Sequence, residues 1–356
     1  MEGIDFSMER YRQQMNIVGF GHAGQERLSR SKVLVVGAGG IGCPVLMYLC
    51  SMGVGHITVV DGDRVDISNL HRQVLYNADD IGQLKVHVVK RKLSLLNPNV
   101  QITPIDVFLT HENALELSMG YDVIIEGTDQ PVVRFICDDV SRKLGMPYVY
   151  GSIYQMQGQV AVFNYNGSLS YRDFFGLTDD TMYSLPICSD AGALPAVTGM
   201  IGSMMAGECV KLLTGIGDPL TNCILFIDFR HNHYIRFVKE KACSENTHRN
   251  TLHNQVQVIT PAQLQEWFDR KLKFQLLDVR ELFERQVAHI GGEHIPYSHF
   301  DQEQINIFQA NIPLVIYCQH GIRSAHVAEI FIRAGFQHVY SLLGGLQAYL
   351  HEMERL

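Results

Sequence analysis

Short apolar runs alternate with longer amphipathic stretches through the first 150 residues, the pattern of an α/β fold with a mainly parallel sheet. The apolar runs predict strands at 33–36, 57–60, 101–107, 122–126 and 147–150. Between them, 43–52 and 84–96 read as helices, and the second is ended by Asn97-Pro98 because the residue before proline avoids helical angles. Positions 159–163 and 223–238 are strand-like, whereas 164–190 is irregular and rich in Gly, Ser and Asp. Loops of that length inside compact domains are often lids or binding segments. The stretch 196–215 is apolar until Glu208 and Lys211 interrupt it, short of the ~20 apolar residues that a membrane span needs. It predicts a buried core helix or a helix at a subunit interface.

The periodicity stops at 239–255, "KEKACSENTHRNTLHNQ", which is polar and reads as a linker. A second fold then restarts with a helix at 261–272, strands at 274–279 and 313–317, and a helix at 324–336 with Gly335 in a C-cap position. The expected organisation is a first domain over 1–240, a linker over 241–255 and a smaller α/β domain over 256–356. A chain of 356 residues fits two domains at ~100–200 residues each. The balance of 29 basic and 37 acidic residues, net −8, argues against a protein that holds nucleic acid or an acidic membrane by its overall field, so phosphate must be held by local groups. The N-terminal stretch lacks the apolar core of a signal peptide, so the expected location is cytoplasmic. Eight cysteines without a secretory signal argue against a disulfide framework and predict mostly reduced core thiols.

Gly37, Gly39 and Gly42 form G-x-G-x-x-G between an apolar strand and a helix, where backbone N–H groups and the helix dipole can hold phosphate. Asp61 closes the next strand, where an acid bonds ribose hydroxyls. Alone, this reads as a dinucleotide site for NAD or FAD. Arg72, Lys85 and Asp129 shift the reading, because a nucleoside triphosphate with Mg²⁺ needs cations and a carboxylate beyond the diphosphate seat.

"GAGGIG", "DGDRVDISNLHRQ", "GQLKV" and "GTD" together resemble the adenylyltransferase family that activates sulfur-carrier proteins, of the MoeB/ThiF type and related to ubiquitin-activating enzymes, over about residues 8 to 240. The resemblance implies a Rossmann-like ATP-binding domain in which Gly39 and Gly40 line the phosphates, with Gly37 and Gly42 shaping the loop. It places Asp61 on the ribose, puts Asn69, Arg72 and Lys85 on the triphosphate with Asp63 and Gln73 beside them, and gives Mg²⁺ to Asp129. It further implies attack of a carrier protein's C-terminal Gly-Gly carboxylate on the α-phosphate of ATP, and a homodimer. The chain departs from the pattern at Gln13, where the family places an arginine that Arg10 or Arg12 could replace, and at His71 and Gln130. It also lacks the family's paired C-x-x-C zinc ligands: Ser170 and Asp173 stand at the first pair, and Cys243 with His248 is what remains near the second, so no zinc site is expected. Cys188 matches a crossover-loop cysteine that resembles one forming a transient thioester or disulfide with the carrier.

Near the other end, "PLVIY" runs directly into Cys318 and a loop ending at Arg323 and Ser324. Successive N–H groups, a helix N-terminus and Arg323 all stabilise an anion on sulfur. "LLDVRE", "HIGGEHIP", "CQHGIRS" and "LLGGLQAY" resemble a rhodanese module, and the four residues between Cys318 and Arg323 make a loop shorter than that of the related phosphatases, suited to one sulfane sulfur. Asp278 and Arg280 read as an ion pair that orients the fold.

The resemblances imply a two-headed enzyme: the first domain adenylates a sulfur carrier, and Cys318, loaded from a persulfide or thiosulfate donor, supplies sulfur for a carrier thiocarboxylate. The alternatives are an activating enzyme for a ubiquitin-like modifier working through a Cys188 thioester, a nicotinamide oxidoreductase with a redox-sensing thiol domain, and a non-catalytic scaffold.

Overall fold

The centre of the first sheet is β1 (Lys32–Val36), four of whose five side chains are buried. The structure is a computed structural model, and it describes residues 9–175, 177, 192–239, 256–319 and 321–353. Parallel to β1 lie β2 (His56–Val60) on one side and β4 (Val123–Glu126) on the other, with Val33 opposite both Ile57 and Val123. Beyond β2 lies β3 (Gln101–Ile105), and beyond β4 lies β5 (Tyr148–Tyr154), both parallel to their neighbours. Three antiparallel strands extend the sheet: β6 (Gln157–Phe163), β7 (Cys223–Asp228) and β8 (His233–Val238). The order is β3-β2-β1-β4-β5-β6-β7-β8. After β3 the chain returns to the far side of β1, which makes the β1/β4 gap a topological switch point, the place where such sheets bind ligands at their C-terminal edge.

Several stretches differ from expectation, helices Gly21–Arg30 and Ala114–Ser118 and strand Val339–Leu342 among them. The single strand-like run at 223–238 is a hairpin, because Asn232 adopts φ 56° and turns the chain between β7 and β8. A helix at Pro131–Leu144 was not anticipated, although proline at its first turn and Gly145 in the left-handed region just past its end are its signals.

Helix Gly42–Met52 connects β1 to β2 and packs against the apolar helix Pro195–Thr214. The contact is close because a Cβ on Gly202 would lie 2.4 Å from Pro44 Cγ. Glu208, buried in the long helix, accepts from Lys211 Nζ at 2.6 Å and from Leu220 N–H at 2.8 Å, so its charge is met inside the fold.

The chain divides into two compact units. In the second, five parallel strands run in the order β11 (Glu293–His294), β10 (Gln275–Asp278), β12 (Leu314–Tyr317), β13 (Val339–Leu342), β9 (Gln257–Ile259). Strand alternation sorts the core into two faces. Leu277 and Ile316 join Val327 and Phe331 of helix Ile322–Arg333, whereas Leu276, Val315 and Tyr317 join Leu264 and Leu346 of helices Pro261–Asp269 and Gly345–Met353. The expected linker lies outside the described residues.

Candidate functional site

The loop after β1 is built for close approach. Gly37 has φ 93°, a region costly for any side chain, and a Cβ on Gly42 would sit 2.0 Å from Gly37 O. Two groups hold the loop from either side. Asp61 accepts from Ala38 N–H at 2.7 Å and from Asp63 N–H at 2.8 Å, while the Tyr76 hydroxyl donates to Ala38 O at 2.8 Å. Asp61 thus clamps the glycine loop with one oxygen and its own turn with the other, and each oxygen keeps a lone pair for a ribose hydroxyl. Tyr76 was not singled out from sequence. Tyr76→Phe is expected to lower the stability of the first unit by about 1 kcal/mol, the worth of one such bond, read from denaturant unfolding.

Arg72 and Gln73 reach the same loop. A Cβ on Gly40 would lie 3.5 Å from Arg72 Cγ and 2.7 Å from Thr198 Cγ2, and one on Gly39 would lie 3.8 Å from Gln73 Nε2. Both residues follow the 3₁₀ turn Ile67–Asn69, where the Asn69 carbonyl accepts from the N–H groups of Arg72 and Gln73. Gln73 is buried, yet its amide oxygen has no partner. A buried amide left open beside a phosphate-type loop fits a missing ligand that would complete it. Lys85, at the start of helix Lys85–Leu96, is buried and ion-paired to Asp63 at 2.9 Å, so these two predicted residues hold each other and two of the lysine's three donors remain for a phosphate.

At the end of β4, the buried Glu126 accepts from Thr128 N–H and Oγ1, both at 2.6 Å, with Arg134 at 3.9 Å. Burial pushes its carboxyl upward against these partners. This fixes the turn that projects Asp129, which is exposed and met among the described residues by Gln130 Nε2 at 3.4 Å. Gly37 packs on that turn, since its Cβ would lie 2.9 Å from Thr128 Cγ2. The structure therefore gathers Gly37, Gly39, Gly40, Gly42, Asp61, Asn69, Arg72, Gln73 and Asp129 with the Lys85–Asp63 pair around the C-terminal ends of β1, β2 and β4.

Ser170 and Asp173, where relatives would carry thiolates, bond each other's backbone: Asp173 N–H donates to Ser170 Oγ at 3.0 Å and Ser170 N–H to Asp173 Oδ2 at 3.4 Å. This reciprocal cap starts the short helix Tyr171–Phe175. Among the described residues no three groups of metal-binding type come together; Cys243, His248 and Cys188 lie outside them.

In the second unit, Cys318 directly follows β12 and is buried. Its sulfur accepts from Gly321 N–H at 3.1 Å and lies 3.5 Å from Ser324 Oγ. The loop carbonyls face the other way, with Cys318 O accepting from Leu346 N–H at 2.8 Å and Gln319 O from Gln347 N–H at 3.2 Å. A Cβ on Gly345 would lie 2.4 Å from Cys318 O, so only glycine lets this helix close on the loop. Arg323 is buried, and its two terminal nitrogens donate to Glu284 at 2.7 and 2.6 Å. Its charge lies in the field of Cys318 while its two terminal nitrogens bond Glu284. Glu284 carried no distinguishing sequence signal. Arg280 bonds both oxygens of Asp278, at 2.9 and 2.7 Å, and lies over the Tyr317 ring, the orienting pair expected.

Comparison with known proteins covers both units. The ThiF family matches residues 11–250. The chain belongs to that family. A rhodanese-like domain matches residues 260–352 of this ThiF-family chain. Among curated relatives, the probable adenylyltransferase/sulfurtransferase MoeZ of Mycobacterium tuberculosis is 33% identical over 97% of this chain and 93% of its own length. The sulfur carrier protein adenylyltransferase of Thermus thermophilus is 44% identical over 62% of this chain and 83% of its own. Among solved structures, E. coli MccB crystallised with ATP shares the fold, with TM-score 0.55 and 22% identity over 62% of this chain and 68% of that one.

Proposed function

We propose that this ThiF-family enzyme adenylylates the C-terminal carboxylate of a small ubiquitin-like sulfur-carrier protein ending Gly-Gly, and that sulfur from a Cys318 persulfide then converts the adenylate to a thiocarboxylate. The observation that carries this reading is the 97% coverage by an adenylyltransferase/sulfurtransferase relative, which spans both the glycine-loop crevice and the Cys318 loop.

ATP is the substrate that fits the crevice. Backbone N–H groups of 39–42 and the positive end of helix Gly42–Met52 face the phosphates, Gly37 N–H and Ala38 N–H being taken by Val60 O and Asp61, while Arg72 and Lys85 add charge and Asp61 takes the ribose. Asp129, whose carboxylate the fold leaves largely open, would hold Mg²⁺, which screens the triphosphate against the incoming carboxylate. The carboxylate oxygen bonds to the α-phosphorus and pyrophosphate leaves. The outer persulfide sulfur next bonds to the carbonyl carbon and AMP leaves, giving an acyl disulfide on Cys318. A second thiolate attacks Cys318 Sγ, the thiocarboxylate departs with the electron pair, and cellular thiols reduce the remaining disulfide.

Cys188 is the candidate for that thiolate. In the sequence it lies ten residues before Thr198, whose Cγ2 would lie 2.7 Å from a Cβ on Gly40. We further infer a homodimer. Arg10 donates to Leu96 O at 3.0 Å and caps that helix, which leaves exposed Arg12, beside Glu9, for the arginine role vacated at Gln13.

Mass spectrometry of the carrier after incubation with ATP and thiosulfate tests the reading. Sulfur in place of one oxygen at the carrier's C-terminus is expected; a stable enzyme-linked thioester with no thiocarboxylate would select the modifier-activating alternative instead.

A further inference from the structure

Two buried serines accompany Cys318, and the activity described so far uses neither. Ser324, fully buried, lies 3.5 Å from Cys318 Sγ and 2.9 Å from Ser341 Oγ. Ser341, buried in β13, can donate in turn to Gly321 O at 3.4 Å. Gly321 is also the residue whose N–H donates to the sulfur, so the contacts close into a ring: sulfur, Gly321, Ser341, Ser324, sulfur. Strand register brings Ser341 there, because it pairs with Ile316, two residues before Cys318. A core strand position facing an apolar interior would ordinarily be apolar, and a buried hydroxyl is tolerated only when it is bonded.

We propose that Ser341 is a positioning residue for sulfur transfer, acting through Ser324 to match the ring to both charge states of Cys318 Sγ. This rests on the reading of Cys318 as the sulfur carrier. With thiosulfate, the thiolate forms a bond to the sulfane sulfur while that sulfur's bond to the sulfonate breaks, and sulfite leaves with the electron pair. Sγ is then neutral and the outer sulfur carries the charge. When an acceptor nucleophile takes the outer sulfur, the electron pair returns to Sγ. Each turnover therefore takes Sγ from anion to neutral and back.

The ring follows by hydroxyl rotation alone. While Sγ is anionic, Ser324 donates to it and Ser341 donates to Ser324 across the shorter 2.9 Å contact. Once Sγ is neutral, Ser324 turns to Ser341, and Ser341 to the Gly321 carbonyl. No buried hydroxyl proton is left without an acceptor in either state, and no heavy atom has to move. A hydroxyl chain that polarises along its length favours the anion more than one serine does alone.

Thiosulfate:cyanide sulfurtransferase kinetics of the full chain test this. Ser341→Ala is expected to lower kcat about two- to tenfold, the loss of one neutral hydrogen bond, with KM for thiosulfate unchanged. Ser341→Thr should restore the rate. In a Ser324→Ala background, Ser341→Ala should cost nothing further. An unchanged kcat, a loss confined to KM, a Thr variant as slow as Ala, or the same loss in both backgrounds would each overturn the proposal. Should Ser341→Ala fail to fold, Ser341→Cys, a weaker donor of similar size, is expected to show the same split. If the parent chain has no sulfurtransferase activity, the reading of Cys318 fails, and iodoacetamide alkylation of Cys318 decides the serine separately: the ring predicts slower alkylation in Ser341→Ala, and an equal rate sinks it.

Discussion

Asp129→Ala is expected to abolish carrier-dependent ATP–pyrophosphate exchange, a loss of at least about 10²–10³, while thiosulfate sulfurtransferase activity stays at the parent rate; Cys318→Ala should do the reverse. The two side chains belong to different compact units, each with its own sheet and core. Removing Asp129 takes away an exposed carboxylate that meets only Gln130 Nε2 among the described residues, so the crevice should keep its shape and lose the proposed metal holder. Removing the Cys318 sulfur leaves Gly321 N–H without its acceptor in a loop still pinned through Cys318 O and Gln319 O to helix Gly345–Met353, so that unit should remain folded and inactive. Isotope exchange into ATP and thiocyanate formation read the two halves separately. A Cys318→Ala chain that still makes carrier thiocarboxylate from a persulfide donor would refute the division of labour.

Glu284→Ala should cost the second unit about 3–5 kcal/mol, the penalty for leaving a buried charge without its partner. Arg323 cannot shed its proton, and Glu284 takes both of its terminal nitrogens. In a unit of this size that loss lowers the melting temperature by ~12 °C or more, seen in calorimetry as an early transition. The pair also sets an acid limit. Burial alone would drive the Glu284 carboxyl upward, but the charge and hydrogen bonds of Arg323 outweigh it and hold it below the ordinary carboxylate range. Because the folded-state value is depressed, the stabilisation is complete above the unfolded carboxylate value and is lost as pH falls through the folded one. The second unit should therefore hold its melting temperature down to about pH 5 and lose it below about pH 4. A Glu284→Ala chain with unchanged melting would show that the pair is not a keystone.

Much of the fold was legible because its parallel strands are uninterrupted apolar runs: Val33–Val36 and Val123–Glu126 sit where the pattern puts them. The β7/β8 hairpin was hidden because its turn residues, Phe229 to Asn232, contain no glycine or proline, and the left-handed position is taken by Asn232. The site residues named from sequence are tied to a backbone requirement, to a charge or to a loop motif, as with the glycines, Asp61, Arg72, Lys85, Asp129 and Cys318. Those that did not emerge act by supporting others. Tyr76, Glu284 and Ser341 are ordinary core or helix residues in the sequence, and their roles come from partners 38, 39 and 20 positions away. Lys85 and Asp63 were each legible as charges, but their mutual pairing is a tertiary fact.

Four buried thiols of the first unit have a bearing on cargo security. Cys43, in the first turn of the helix behind the phosphate loop, is pushed up to about 12 by burial, and Cys50 to about 11. Burial also drives Cys137 and Cys209 upward. At neutral pH these side chains therefore stay as thiols, and it is the thiolate that would intercept a migrating sulfane sulfur. Those four thiols are thereby held in their unreactive form, so delivery fidelity is written into the packing of the core as much as into the chemistry of the loop.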